Sequence, residues 1–122
     1  MVTARQHGSE SSGVTYALLV DEIRASGISS TELAEITGVR ERQVQHWAAG
    51  SSKPRDLARG RLTDVYYIVN QLRDVYHPEG IEIWMHARNR DLGGRRPIDL
   101  LRSGEFSEVL EAIERLTHGA MG

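Results

Sequence analysis

Residues 29–48 read SSTELAEITGVRERQVQHWA, and the spacing inside this stretch decides the fold. Ala34 is a small residue at the point where two helices cross closely. Gly38 follows four residues later, where a tight turn takes a positive φ that glycine adopts without a Cβ clash. Leu33, Val39, Val44 and Trp47 are the apolar positions that clamp a second helix across the first. The pattern predicts a helix-turn-helix whose second helix runs from about Arg40 to Ala49. A plain two-helix corner satisfies the same apolar spacing, and such units also serve protein contacts. What favours nucleic acid is the remainder of the second helix: Arg40, Glu41, Arg42, Gln45 and His46 are long polar side chains suited to base edges and phosphates.

A helix of this kind enters the major groove with its N-terminal residues leading. Arg40, Glu41 and Arg42 then come first, with Gln45 and His46 about one turn on. Arginine holds guanine and glutamine holds adenine through paired hydrogen bonds, each worth roughly 1–3 kcal/mol of discrimination. Lys53, Arg55 and Arg59 are candidates for phosphates, which add affinity without reading sequence. Glu41 is repelled by phosphate and faces a cytosine or solvent; Arg61 flanks the next helix. One module of this size buries little surface, so useful affinity implies a homodimer on two half-sites.

Working outward, residues 1–13 are polar, small and aperiodic, and read as a disordered tail. Val14 to Ser26 carries Leu18, Leu19 and Ile23 on one face, a first helix closed by Gly27. Ser29, Ser30 and Thr31 offer capping oxygens for the next one. Gly50-Ser51-Ser52-Lys53-Pro54 ends the second helix of the motif. A long helix is expected from Asp56 to Val75, with Leu57, Leu62, Val65, Ile68, Val69, Leu72 and Val75 as its stripe. Tyr66 and Tyr67 widen that stripe and suit core or interface packing. His77-Pro78-Glu79-Gly80 breaks the chain, so the division is 14–77 and 78–122. Gly80 to Ala87 reads as a short helix, Arg88 to Arg96 as a turn-rich loop, and Ile98 to Arg102 as another short helix started by Pro97. The last helix spans Glu105 to Thr117, with Phe106, Val109, Leu110, Ile113 and Leu116 in one stripe; His118 to Gly122 is a short tail. The class is all-α: a helix-turn-helix bundle joined by a long helix to a small helical C-terminal unit.

Charge is unevenly spread. The chain has a net charge of −2, which argues against indiscriminate coating of nucleic acid. Residues 39–61 nevertheless hold six cations against two acids, while residues 104–122 hold Glu105, Glu108, Glu111 and Glu114 against Arg115 alone. A basic middle and an acidic end imply two different partners. With no cysteine there is no disulfide or thiolate site. No apolar run reaches membrane-spanning length and no signal-peptide core is evident, so a cytoplasmic protein is expected. The five histidines show no metal-ligand spacing, and Gly93-Gly94 lacks the strand–helix context of a phosphate loop. No nucleophile–base–orienter set stands out, so neither enzyme nor cofactor is expected.

Trp84-Met85, Asn89, Leu92-Gly93-Gly94, Pro97, Asp99-Leu100-Leu101 and Gly104 occur in that order at short spacing. They resemble the C-terminal toxin-binding domain of the Xre/MbcA/ParS antitoxin family, whose usual layout puts an Xre-like helix-turn-helix in front. The resemblance covers about residues 14–120. It implies an antitoxin of a bacterial type II toxin–antitoxin pair, dimeric, repressing its own operon. The implied partner is a RES-domain toxin encoded in the same operon, of a class that destroys NAD and whose active-site entrance the C-terminal unit covers. Carried onto this chain, the toxin-facing residues are Trp84, Asn89, Leu92, Gly93, Gly94, Arg95 and Arg96, with Glu111, Glu114, His118 and Met121 on the last helix and tail. Within that set, Trp84 is expected to be structural more than a contact, like Pro97, and the acidic helix suits a basic rim on the toxin. The alternative is a stand-alone transcriptional regulator whose C-terminal unit only dimerises.

Overall fold

The computed structural model describes the backbone of residues 15–121 and the side chains of residues 15–118. The expected disordered tail at 1–13 lies outside the described residues, as does the Met121 side chain. Within the described residues the fold is all-helical. A first helix, α1, occupies residues 15–25. It is followed by α2 (Ser30–Thr37), α3 (Glu41–Ala49), α4 (Asp56–Arg73), α5 (Pro78–His86), a 3-10 turn (Arg90–Leu92), α6 (Pro97–Arg102) and α7 (Phe106–Met121).

Local sequence explains the element ends. Ser29 caps α2: its hydroxyl accepts from the Glu32 N–H at 3.0 Å, and Glu32 accepts from the Ser29 N–H at 2.9 Å. This reciprocal capping box stabilises the start of α2 by about 1 kcal/mol. Gly38 ends α2 at φ 78° and donates to the Ala34 carbonyl, which turns the chain directly into α3. Pro78 and Pro97 open α5 and α6, where a missing N–H costs nothing.

One apolar core runs through the whole of this helical array. Val20 and Ile23 of α1, Leu33 and Ile36 of α2, Val44 and Trp47 of α3 and Leu62 to Leu72 of α4 join Ile81 and Met85 of α5, Ile98 and Leu101 of α6 and Val109 and Ile113 of α7. The packing therefore continues across residue 77: α2 touches α6, and α4 touches both α5 and α7. Polar contacts reinforce the same junction. Glu35 of α2 meets Arg102 of α6 at 2.8 Å, and Glu32 meets His86 of α5 at 2.9 Å. Arg61 of α4 donates to the Ile36 carbonyl at 3.1 Å and lies against Gly104 in the α6–α7 turn. Gly27 stands at φ 94° where α5 closes on the α1–α2 turn; a Cβ there would collide with the Glu82 side chain.

Several expectations change. Leu18 and Leu57 are 55% and 63% exposed, and Val75 is also exposed, so these members of the expected stripes lie outside the core. The core face of α1 is set by Val20 and Ile23, and α4 stops at Arg73, two residues before Val75. Tyr66 packs against the core with its hydroxyl on Glu22 at 3.2 Å, whereas Tyr67 is exposed. The expected tail from His118 continues α7 to Met121, because nothing between Thr117 and Met121 stops an apolar-striped helix except a tolerated glycine.

Candidate functional site

Two surfaces gather the candidate residues. The first is a cleft of about 990 Å³ between α3, the loop that follows it and the start of α4. Arg40, Arg42, Lys53, Arg55 and Arg59 line it, together with Tyr16, Gln43, Trp47 and Ser52. No carboxylate is among the lining residues, and none of the five cations forms an ion pair among the described residues. Local geometry explains why they converge. Gly50 ends α3 at φ 77°, Gln43 donates to Ser52 at 3.0 Å, and the buried Pro54 fixes the loop between Lys53 and Arg55. Asp56 starts α4 at φ 53°, a left-handed conformation that residues other than glycine adopt at a cost of order 1 kcal/mol. Neither acid of the segment lines the cleft, and Glu41 takes a hydrogen bond from Thr31 at 3.2 Å.

Trp47 forms part of the cleft wall and is 1% exposed. Its indole N–H has no acceptor among the described residues. An unpaired buried donor costs about 1–3 kcal/mol, so an acceptor placed there would be favoured. Gln45 and His46 are exposed on α3 but do not line the cleft, so the expected DNA-facing set divides into a cleft group and an outer group.

The second surface belongs to the C-terminal unit. The loop from Asn89 to Arg95 closes on itself: the Asn89 N–H donates to the Arg95 carbonyl at 3.0 Å, and the Gly94 N–H to the Asn89 carbonyl at 2.9 Å. The Asn89 side chain accepts from the Asp91 N–H at 2.8 Å, and Gly93 turns the chain at φ 68°. This holds Leu92 inside, 3% exposed, and leaves Gly93 at the surface. Trp84 is half-buried against the core. Arg95 reaches Glu105 at 3.5 Å and Glu108 at 2.8 Å, pinning the loop to the start of α7. Arg96 pairs with Asp99 at 2.9 Å; that hydrogen bond and charge raise the guanidinium's pKa, and the same hydrogen bond holds the Asp99 carboxyl below its ordinary range.

Glu111, Glu114 and His118 project from α7 beside a groove of about 440 Å³ shared with Tyr67 and Gln71 of α4. Trp84 and the loop residues are not among that groove's lining residues. Tyr67 and Gln71 were not singled out as site residues because their placement needs α4 packed on α7; Tyr16 and Gln43 in the basic cleft were missed for the same kind of reason. Among the described residues no group of three or more His, Asp or Glu is placed to hold a metal, and no helix is long and apolar enough to cross a membrane.

Comparison with known proteins adds four findings. The family model for the antitoxin Xre/MbcA/ParS C-terminal toxin-binding domain matches residues 71–119. The probable mycobacterial cidal antitoxin Rv3188 of Mycobacterium tuberculosis is 33% identical over 102 residues, 84% of this chain and 87% of that protein. The mycobacterial cidal antitoxin MbcA of Mycobacterium bovis is 33% identical over 97 residues, 80% of this chain and 86% of its own. In three dimensions the chain resembles one in the crystal structure of the M. tuberculosis MbcT–MbcA toxin–antitoxin complex, with a TM-score of 0.72 and 33% identity over 84% of this chain and 94% of that one.

Proposed function

The chain belongs to the Xre/MbcA/ParS family of antitoxins, and from that premise we propose that it neutralises a RES-domain, NAD-degrading toxin encoded beside it and represses their shared operon by binding DNA. The match of residues 71–119 to a toxin-binding domain carries the reading. The similarity to a chain from a toxin–antitoxin complex extends it to most of the molecule.

In this reading residues 14–77 form the DNA-binding unit, with α2 and α3 as its helix-turn-helix, and residues 78–122 form the toxin-binding unit. The protein acts in the cytoplasm as a homodimer, by occlusion and without catalysis. The exposed parts of the Asn89–Arg96 loop and the outer face of α7 meet the toxin. Glu111 and Glu114 face a basic rim there, and Leu92 acts from inside by holding the loop in shape. Gln45 and His46 meet the operator at its bases, and Lys53 and Arg55, beside Pro54, meet its backbone.

The test is co-expression of the full chain with the product of the adjacent gene. Growth rescue and a co-purifying complex are expected, and paired charge reversal at Glu111 and Glu114 should weaken the complex. Absence of both rescue and complex with the unaltered chain would sink the antitoxin reading. A footprint on the upstream DNA in the absence of any partner would favour the stand-alone regulator.

A further inference from the structure

We propose that the basic cleft beside α3 is a phosphate-ester site, in which Arg42 and Arg59, with Lys53 and Arg55 from the intervening loop, hold the sugar-phosphate backbone of DNA and Arg42 reads no base. The proposal deepens the operator reading and rests on it for the natural ligand.

The cleft is chemically one-sided. Among the described residues its cations are free of ion pairs and no acid lines it. Like charges converge at such a place against their mutual repulsion, and a bound oxyanion removes that repulsion. The guanidinium fork matches two phosphate oxygens, while Lys53 supplies a point charge. The loop is held by Gly50, Pro54 and the Gln43–Ser52 hydrogen bond, so the donors are placed before the ligand arrives. Trp47, buried in the wall of the same cleft, has an indole N–H without an acceptor among the described residues, a second and independent sign of a ligand oxygen there. Gln45 and His46 stand outside the cleft, which separates backbone-holding residues from those left to read bases.

Two probes test this on the full chain. Inorganic pyrophosphate is titrated while the two indole N–H resonances are followed by NMR, with Trp84→Phe used to tell them apart. The Trp47 resonance should move and the Trp84 resonance should not, and Arg42→Ala should blunt the response. In parallel, affinity for the upstream duplex and for a scrambled duplex is measured across salt. Arg42→Ala should weaken both by about the same factor, roughly tenfold, and lower the salt slope by about one. Arg42→Lys should recover part of the loss. A loss confined to the upstream duplex would make Arg42 a base reader and overturn the proposal. Duplex binding untouched by Arg42→Ala would overturn the site while leaving the operator reading in place. A pyrophosphate response without any duplex binding would support the site and overturn the operator reading. A chain that answers to neither probe would overturn both.

Discussion

The cations of the two halves meet different fates. In the C-terminal half Arg95, Arg96, Arg102 and Arg115 each lie against a carboxylate, at 2.8 to 3.9 Å, and among the described residues only Arg88 and Arg90 there lack one. Around the cleft Arg40, Arg42, Lys53, Arg55 and Arg59 have none among the described residues. Composition alone does not show this contrast, because both regions are rich in arginine. Paired arginines pin loops to helices; unpaired ones are held in place by the backbone and remain available to a partner. Removing a charge from one region should therefore cost stability, and from the other affinity.

The sharpest way to break that comparison is to reverse Lys53, Arg55 and Arg59 to glutamate together. Duplex affinity should fall by more than about 100-fold at moderate salt. The melting temperature should change by no more than about 2 °C, since none of the three side chains has a hydrogen-bond or ion-pair partner among the described residues. A collapse of the fold would show that the cleft cations are structural after all.

Gly27→Ala probes the junction rather than the charges. Its positive φ and the adjacent Glu82 side chain predict a loss of about 2 kcal/mol, or roughly 8 °C in Tm by calorimetry. If the loss is small, α5 is less tightly closed on the α1–α2 turn than it looks.

Arg95→Ala should be milder. It removes contacts to Glu105 and Glu108 from a half-exposed side chain, for about 0.5–1 kcal/mol in denaturant unfolding. Duplex affinity should stay within about twofold of the parent, since Arg95 does not line the cleft.

The smallest effect is with pH. The Asp99 carboxyl is held below its ordinary range by Arg96, so its contribution is fully present above about pH 4 and disappears as pH falls through the lowered folded value. Stability measured from pH 5 down to pH 2 should decline slightly less steeply for Asp99→Asn. The difference should be slight, because the side chain is 47% exposed and screened by water.

The core follows the sequence closely where helical spacing is unambiguous. Leu33, Ala34, Val44 and Trp47 are buried as their spacing requires, Gly38 and Gly50 take the left-handed caps, and Pro97 opens α6. It departs where a stripe is wider than the surface available to cover it. Leu18 and Leu57 share the apolar character of their neighbours, yet both remain more than half exposed. The sites divide in the same way. The cluster of cations after Gly50 is visible in residue type alone, but its closure into a cleft with Tyr16 and the orphan indole of Trp47 requires α1, α3 and α4 in place.

What the chain determines by itself is local: which segments are helices, where caps and prolines end them, which face of each is apolar, and the order of short motifs that mark the family. These follow from interactions within a few residues. The tertiary structure decides which charges are neutralised and which apolar residues stay uncovered. The partners of Glu32, Glu35 and Arg61 lie 54, 67 and 25 positions away, at His86, Arg102 and the carbonyl of Ile36. Electrostatic pairing depends on distance in space, which a linear pattern does not encode until the helices are packed.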